Sequence, residues 1–166
     1  LAEYALRAYA DPGPADRLAA ARAYLTREAP KQPLHNKLAW IGLGSGQSAK
    51  DAVLKDLWKA QSQDGGWTNE ALGPWAKHDK APASPGSNAY ATAWAVYTAR
   101  QAGIACGDKH LKRAFSWLIN QQDHSTGAWK AVSMNKVFPE GSMQSGFMSD
   151  MATGFAAAAL ASCGSR

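Results

Sequence analysis

Leu57–Trp67, LWKAQSQDGGW, decides the fold, because its pattern returns at Leu118–Trp129 as LINQQDHSTGAW. Both copies read Leu-x3-Gln, then three or four residues, then Gly-x-Trp. The spacing predicts a helix whose last turn carries Leu and Gln, a glycine whose positive φ stops it, and a Trp folding back over the helix end. Gln61, Gly65 and Trp67, with Gln122, Gly127 and Trp129, are therefore expected to be structural. Stacked copies would share Trp and Gln contacts from one helical hairpin to the next.

Working outward, each motif closes an amphipathic helix. Ala49–Gln61 carries Val53, Leu54, Leu57 and Trp58 at helical spacing, and Asp108–Gln121 is the matching helix of the second copy. Before them, Leu1–Ala10 reads as a short helix broken at Asp11–Pro14, Ala15–Glu28 as an Ala/Leu/Arg helix, and Pro33–Leu43 as a third with Pro33 in its first turn. Asn88–Gln101 is a helix with Ala93, Trp94, Val96 and Tyr97 in its body, ended by Gly103. Ser149–Ala161 is a last helix made almost wholly of small residues, which implies neighbours on more than one side. Two long connections remain. The first, 63–87, mixes glycine and proline with Trp67 and Trp75, so it is expected to pack on its own aromatics. The second, from Asp123 to about Phe147, holds Trp129, Phe138 and Pro139. Seven helices, two long loops and no period-two segment make the class all-α, as a layered array of hairpins.

At 166 residues the chain fits one domain, residues 1–166, with 46% hydrophobic and 19% charged residues. Its net charge of +5 is scattered, with no run of like charge that would suggest nucleic-acid binding. No apolar run reaches the ~20 residues of a membrane span. The two cysteines, Cys106 and Cys163, form no C-x-x-C and lie near no histidine that would complete a metal motif. They either pair in an oxidising compartment or sit as small buried side chains. A periplasmic or secreted location is expected ahead of a cytoplasmic one, and since Leu1 opens inside a helical pattern the chain is expected to be the C-terminal part of something longer.

From Pro33 onward the order of features resembles bacterial members of the prenyltransferase/squalene-oxidase (squalene–hopene cyclase-like) repeat family. The two copies match its QW motif, and Arg113 and Trp117 also occupy matching places in the second. LHNKLAWIGLG, SNAYATAWAVYTARQAG and DMATGFAAAALAS would be inner helices, with outer helices ending in the motifs. The resemblance implies an α/α toroid whose inner helices surround a cavity that takes isoprenoid chains. The hairpins here are too few for a closed ring, so a partial toroid is expected. Its open faces would cost ~25 cal/mol per Å2 left wet, which points to a missing N-terminal half or a protein partner.

The family's chemistry is replaced at the start of the Asn88 helix. Class II terpene cyclases carry D-x-D-D-T-A there, and this chain has Asn88, Ala89, Tyr90, Ala91, Thr92 and Ala93. Without a carboxyl there is no strong acid to protonate an alkene, and a phenol of pKa near ~10 cannot replace it. Protein prenyltransferase β-subunits carry D-x-Y-H-T, with the His on zinc, but Ala91 stands at that place. His35, His78, His110 and His124 lie on separate elements at no ligand spacing, so neither a metal nor a cofactor is expected.

What remains is a wall. His35, Asn36, Asn88, Tyr90, Trp94 and Asp150 would lie near the starts of the inner helices, mixing aromatic surface with few polar handles. Asp150 is the sole carboxylate expected near that mouth, as an acid or simply as a first-turn residue favoured by the helix dipole. The leading expectation is a module without cyclase or zinc chemistry that binds a hydrophobic, isoprenoid-like or extended ligand, or a protein partner, on this face. The alternatives are a divergent cyclase or lyase acting on an isoprenoid or polymer through Asp150 with His78, Asp79 and Glu140, and a structural subunit of a larger assembly.

Overall fold

The computed structural model describes residues 15–42, 46–78, 85–139 and 141–164. Among these residues the chain forms six α-helices and no strand: α1 (Ala15–Glu28), α2 (Leu34–Gly42), α3 (Gln47–Lys59), α4 (Ala89–Gln101), α5 (Lys109–Gln121) and α6 (Met143–Gly164). Short 3-10 turns occupy Ala29–Lys31 and Glu70–Leu72. The helix expected at Leu1–Ala10 lies outside the described residues.

Helix α4 is the hub. It packs most extensively against α6 and then α2, while α3 lies on α2 and α5 on α4. The result is a row α2–α4–α6 with α3 packed on α2 and α5 on α4. The composition of α4 follows from that position, because Ala89, Ala91, Ala93, Ala95, Val96 and Ala99 let neighbours approach from several directions and all are buried. Helix α5 needs one buried stripe only, Leu111, Ala114 and Leu118. Both helices open on an Asx cap, where Asn88 Oδ1 accepts from the Tyr90 and Ala91 amides and Asp108 Oδ1 from those of His110 and Leu111. Gly103, at φ 95°, ends α4, with its own amide on the Arg100 carbonyl and that of Ile104 on the Ala99 carbonyl.

Helix α6 departs from expectation twice. It starts at Met143, well before Ser149, because Ser142 caps it: the Ser145 amide donates to Ser142 Oγ at 3.2 Å and the Gly146 amide to the Ser142 carbonyl at 3.2 Å. It is also covered on one side only. Ala152, Ala156 and Ala159 are its fully buried residues, while Met143, Phe147 and Met151 are 74%, 55% and 45% exposed. Small size here serves close approach to α4 and not burial all round. At its far end Cys163 is disulfide-bonded to Cys106 in the loop after α4. The Arg100 guanidinium adds bonds to the Ser162 hydroxyl at 3.2 Å and to the Ile104 carbonyl.

The two motifs share one hydrogen-bond scheme. Trp67 Nε1 donates to the Leu57 carbonyl at 2.9 Å and Trp129 Nε1 to the Leu118 carbonyl at 2.7 Å. The Trp67 amide donates to Thr92 Oγ1 on α4, and the Trp129 amide to Thr153 Oγ1 on α6, each at 3.0 Å. Gln61 Nε2 holds the Gly65 carbonyl and Gln122 Nε2 the Gly127 carbonyl, each at 2.8 Å. Trp67 thus ties α3 to α4, and Trp129 ties α5 to α6. Contacts from the second hairpin then reach back to the first turn: Gln61 Oε1 meets His110 Nδ1 at 2.7 Å, and the His110 ring stacks on Trp58 at 4.7 Å. The long loops also lean on each other, with the His78 amide on the Asn135 carbonyl at 2.8 Å and Asn69 Nδ2 on the Val132 carbonyl at 3.3 Å.

Candidate functional site

At the starts of α2 and α4 two polar side chains meet inside aromatic surroundings. His35 stands in the first turn of α2, which Pro33 begins by accepting the Asn36 and Lys37 amides. Tyr90 stands in the first turn of α4, where Asn88 caps the helix. His35 Nε2 and Tyr90 Oη lie 2.8 Å apart. The His35 ring stacks on Trp94 at 4.9 Å and meets Trp75 edge-on at 5.2 Å. Trp94 Nε1 donates to the His35 carbonyl at 3.1 Å, fixing one element against the other. Phe155 of α6 closes the group, 4.9 Å from Trp94 and 5.2 Å from Tyr97.

The hydrogen bonds assign the proton positions. Asn36 Nδ2 donates to Gln32 Oε1, so Asn36 Oδ1 faces His35 Nδ1 as an acceptor at 3.0 Å and Nδ1 carries the hydrogen. Burial lowers the His35 pKa from its ordinary value, with the Asn36 bond opposing it, so the ring is neutral and Nε2 accepts from the phenol. Burial likewise raises Tyr90, which keeps its proton. The pair is an uncharged phenol–imidazole couple set in indole, phenol and phenyl surface. It can pass a proton at Nε2 or Oη; Tyr90 is 4% exposed, so the aromatic surface left for a ligand is that of the partly buried His35, Trp75 and Trp94 rings, which carry no formal charge.

The candidate residues divide. His35, Tyr90 and Trp94 come together. Asn36 is exposed at the edge of the group and orients His35. Asn88 is 5% exposed with its Oδ1 committed to the cap. Asp150 is exposed on α6, outside the stripe that faces α4, and takes part in none of the contacts that build the group. His78 lies on the loop that meets 131–137, and Asp79 and Glu140 lie outside the described residues. His110 belongs to the first turn's scaffold and His124 is exposed in the second turn. No group of three or more His, Cys, Asp or Glu converges among the described residues, and no helix there is long and apolar enough to cross a membrane.

Sequence reasoning assigned no site role to Trp75, Tyr97 and Phe155. The signal for the last two was available: Trp94 and Tyr97 stand three apart on α4, and Phe155 takes Trp94's place if Thr92 and Thr153 are aligned. Trp75 had no such signal: its Nε1 bonds the Asn69 carbonyl within its own loop at 2.6 Å, and its approach to the His35 ring from a segment far along the sequence follows no local pattern. A separate cavity of about 440 Å3 lies beside the α4 start, lined by Gly86, Ser87, Asn88, Trp117, Asp123 and Lys130 among others. Its mixed charges set it apart from the His35 wall. Compared with protein-family models, curated proteins and solved structures, the chain matches none.

Proposed function

We propose that this chain is a binding module of the prenyltransferase/squalene-cyclase repeat type, a partial α/α toroid that takes a hydrophobic or extended ligand on its inner aromatic wall. The observation that carries this reading is the gathering of His35, Trp75, Tyr90, Trp94 and Phe155 from four separate segments around one uncharged polar pair. An apolar chain laid on such a wall gains ~25 cal/mol per Å2 removed from water, and a neutral phenol–imidazole couple costs far less to desolvate than an ion. The cyclase acid and the zinc-ligand histidine are replaced by Tyr90 and Ala91, so binding is the activity left to the scaffold. Titrating farnesyl and geranylgeranyl diphosphate and squalene into the chain, read by indole fluorescence, tests this. Saturable binding that Trp94→Leu weakens about tenfold or more, with no product formed, is expected. Binding indifferent to Trp94, or product formed at a catalytic rate, would overturn it.

The His35–Tyr90 contact gives a second reading its one specific support. A phenol 2.8 Å from a neutral imidazole has the geometry of a proton-transfer couple, as a divergent lyase or cyclase would need. Under that reading Tyr90→Phe and His35→Gln abolish turnover while substrate still binds, and Asp150→Asn does little.

A further inference from the structure

In the first turn, four acceptors are taken by α5. Gln61 Oε1 meets His110 Nδ1 at 2.7 Å, the Ser62 and Gln63 carbonyls accept from Arg113 Nη2 at 2.9 and 2.7 Å, and Asp64 Oδ2 accepts from Trp117 Nε1 at 3.1 Å. His110, Arg113 and Trp117 stand at i, i+3 and i+7, on one face of the helix. The second turn repeats the inward half of this scheme bond for bond, through Gln122–Gly127, Trp129–Leu118 and Trp129–Thr153. Its outward half has no counterpart. Among the described residues Gln122 Oε1 and the His124 carbonyl accept nothing, and Asp123 Oδ2 has an exposed Lys130 amine at 3.7 Å.

Helix α6 carries the same asymmetry. Aligning Thr92 with Thr153 gives an offset of 61 (153 − 92 = 61). Ala91, Ala95 and Thr98 of α4 then match Ala152, Ala156 and Ala159 of α6, and all six are buried. The second buried stripe of α4, Ala89, Ala93 and Val96, matches Asp150, Gly154 and Ala157, and these three are exposed.

We infer that the second turn, with the outer face of α6, is a docking surface for an amphipathic helix of another polypeptide segment that presents imidazole, guanidinium and indole donors at i, i+3 and i+7. The Asp123 carboxyl is pulled down to about 2, first by the Ser125 hydroxyl and then by the Thr126 and Ser125 amides, so it meets a guanidinium as a full anion. A second copy of this chain does not fit. Its helix α3 carries Ala49, Ala52 and Asp56 at the places of His110, Arg113 and Trp117, supplying no donor and a carboxylate against Asp123, while the donors of α5 are already engaged within each molecule. The surface is separate from the His35 wall and stands or falls independently of it.

The test uses the full chain and a capped peptide of residues 108–121, DKHLKRAFSWLINQ, as a helix that carries the donor set. Saturable nitrogen-15 shifts are expected at Gln122–Ser125, including the Gln122 side-chain amide, and alanine at the peptide's Arg113 and Trp117 should weaken binding about tenfold or more. Asp123→Asn, which keeps the turn's acceptor and removes the charge, should weaken it severalfold while the nitrogen-15 spectrum of the free chain shows the second turn still folded. No shift at millimolar peptide overturns the inference, as do undiminished binding by the alanine peptide and shifts that map to His35 and Trp94. Self-association of the chain alone that the peptide does not displace would make a second copy the occupant and overturn it equally.

Discussion

Gly65 and Gly127 hold matching places in the two turns, yet they are held by different forces. Gly127 has φ 73° and a Cβ there would meet only the Gln122 amide at 3.9 Å, so its demand is conformational. Gly65 has φ 98°, and a Cβ would lie 2.8 Å from the Arg113 carbonyl oxygen in the backbone of α5. A side chain in the left-handed region costs ~1–2 kcal/mol, so Gly127→Ala should lose about that much. Gly65→Ala should lose at least ~3 kcal/mol, because a helix must also move. Urea denaturation of the two variants measures the difference, and equal losses would mean that the first turn does not bear on α5. His35 gives a residue-scale pH effect with a definite sign. Its folded pKa is lowered by burial, so below the ordinary imidazole value of ~6.5 the unfolded chain binds a proton that the folded chain refuses. The stability that neutral His35 contributes is complete above that pH and is lost as pH falls through the lowered value. His110 shifts the same way, chiefly by desolvation. Urea midpoints compared between pH 7.5 and 5 should therefore fall, and should fall less in His35→Gln. An unchanged slope in that variant would mean the ring is charged in the fold.

The hairpin is held at the element scale by one hydroxyl per unit. Thr92 is fully buried, and its Oγ1 is the acceptor for the Trp67 amide. Thr92→Val keeps the shape and removes the acceptor, leaving a buried N–H unpaired at ~1–3 kcal/mol. Thr153→Val repeats the change on α6, where the threonine is half-buried and water can reach the amide, so its loss should be smaller. Denaturation midpoints in that order check the scheme, and the reverse order would sink it. What was legible in the sequence follows the same division between local and distant causes. Both turns were legible because Gln, Gly and Trp act within a dozen residues of one another and recur. The helices α3, α4 and α5 were legible from their spacing and caps. The early start of α6 was hidden, since Ser142, Ser145, Gly146 and Ser149 have the composition of a loop. There Ser142 caps the helix and Ser149 Oγ turns outward to accept the Ala131 amide at 3.0 Å. Of the site, His35, Tyr90 and Trp94 were legible as residues at helix starts. Their pairing, and the arrival of Trp75 from the first long loop, depend on contacts between segments far apart in sequence, which no local pattern encodes.

At the scale of the whole molecule, α6 is the least enclosed helix of the row, and its hold on α4 is divided along its length. Near its start Ser149 and Thr153 bind the second turn, the middle is the alanine stripe against α4, and the end is fastened by Cys106–Cys163 and the Arg100–Ser162 bonds. The last fully buried stripe residue is Ala159, and beyond it Leu160 packs on the core while only partly buried. The disulfide closes a loop with a sequence separation of 57. Loop entropy for a loop of that order assigns it about 4 kcal/mol, acting mainly through the unfolded chain. Replacing both cysteines by serine should therefore lower stability by about 2–4 kcal/mol, and it should also act locally, since the last turn loses its covalent anchor and keeps weaker ties such as the Arg100–Ser162 bonds and the partly buried Leu160. Hydrogen exchange should then show the amides of that last turn losing protection well before those of Ala152–Ala159, while α2, α4 and α5 exchange only through the lowered global unfolding. An even loss of protection along α6 would mean that the alanine stripe does not hold the helix by itself. A stability unchanged by the replacement would mean that the bond constrains nothing the packing has not already fixed.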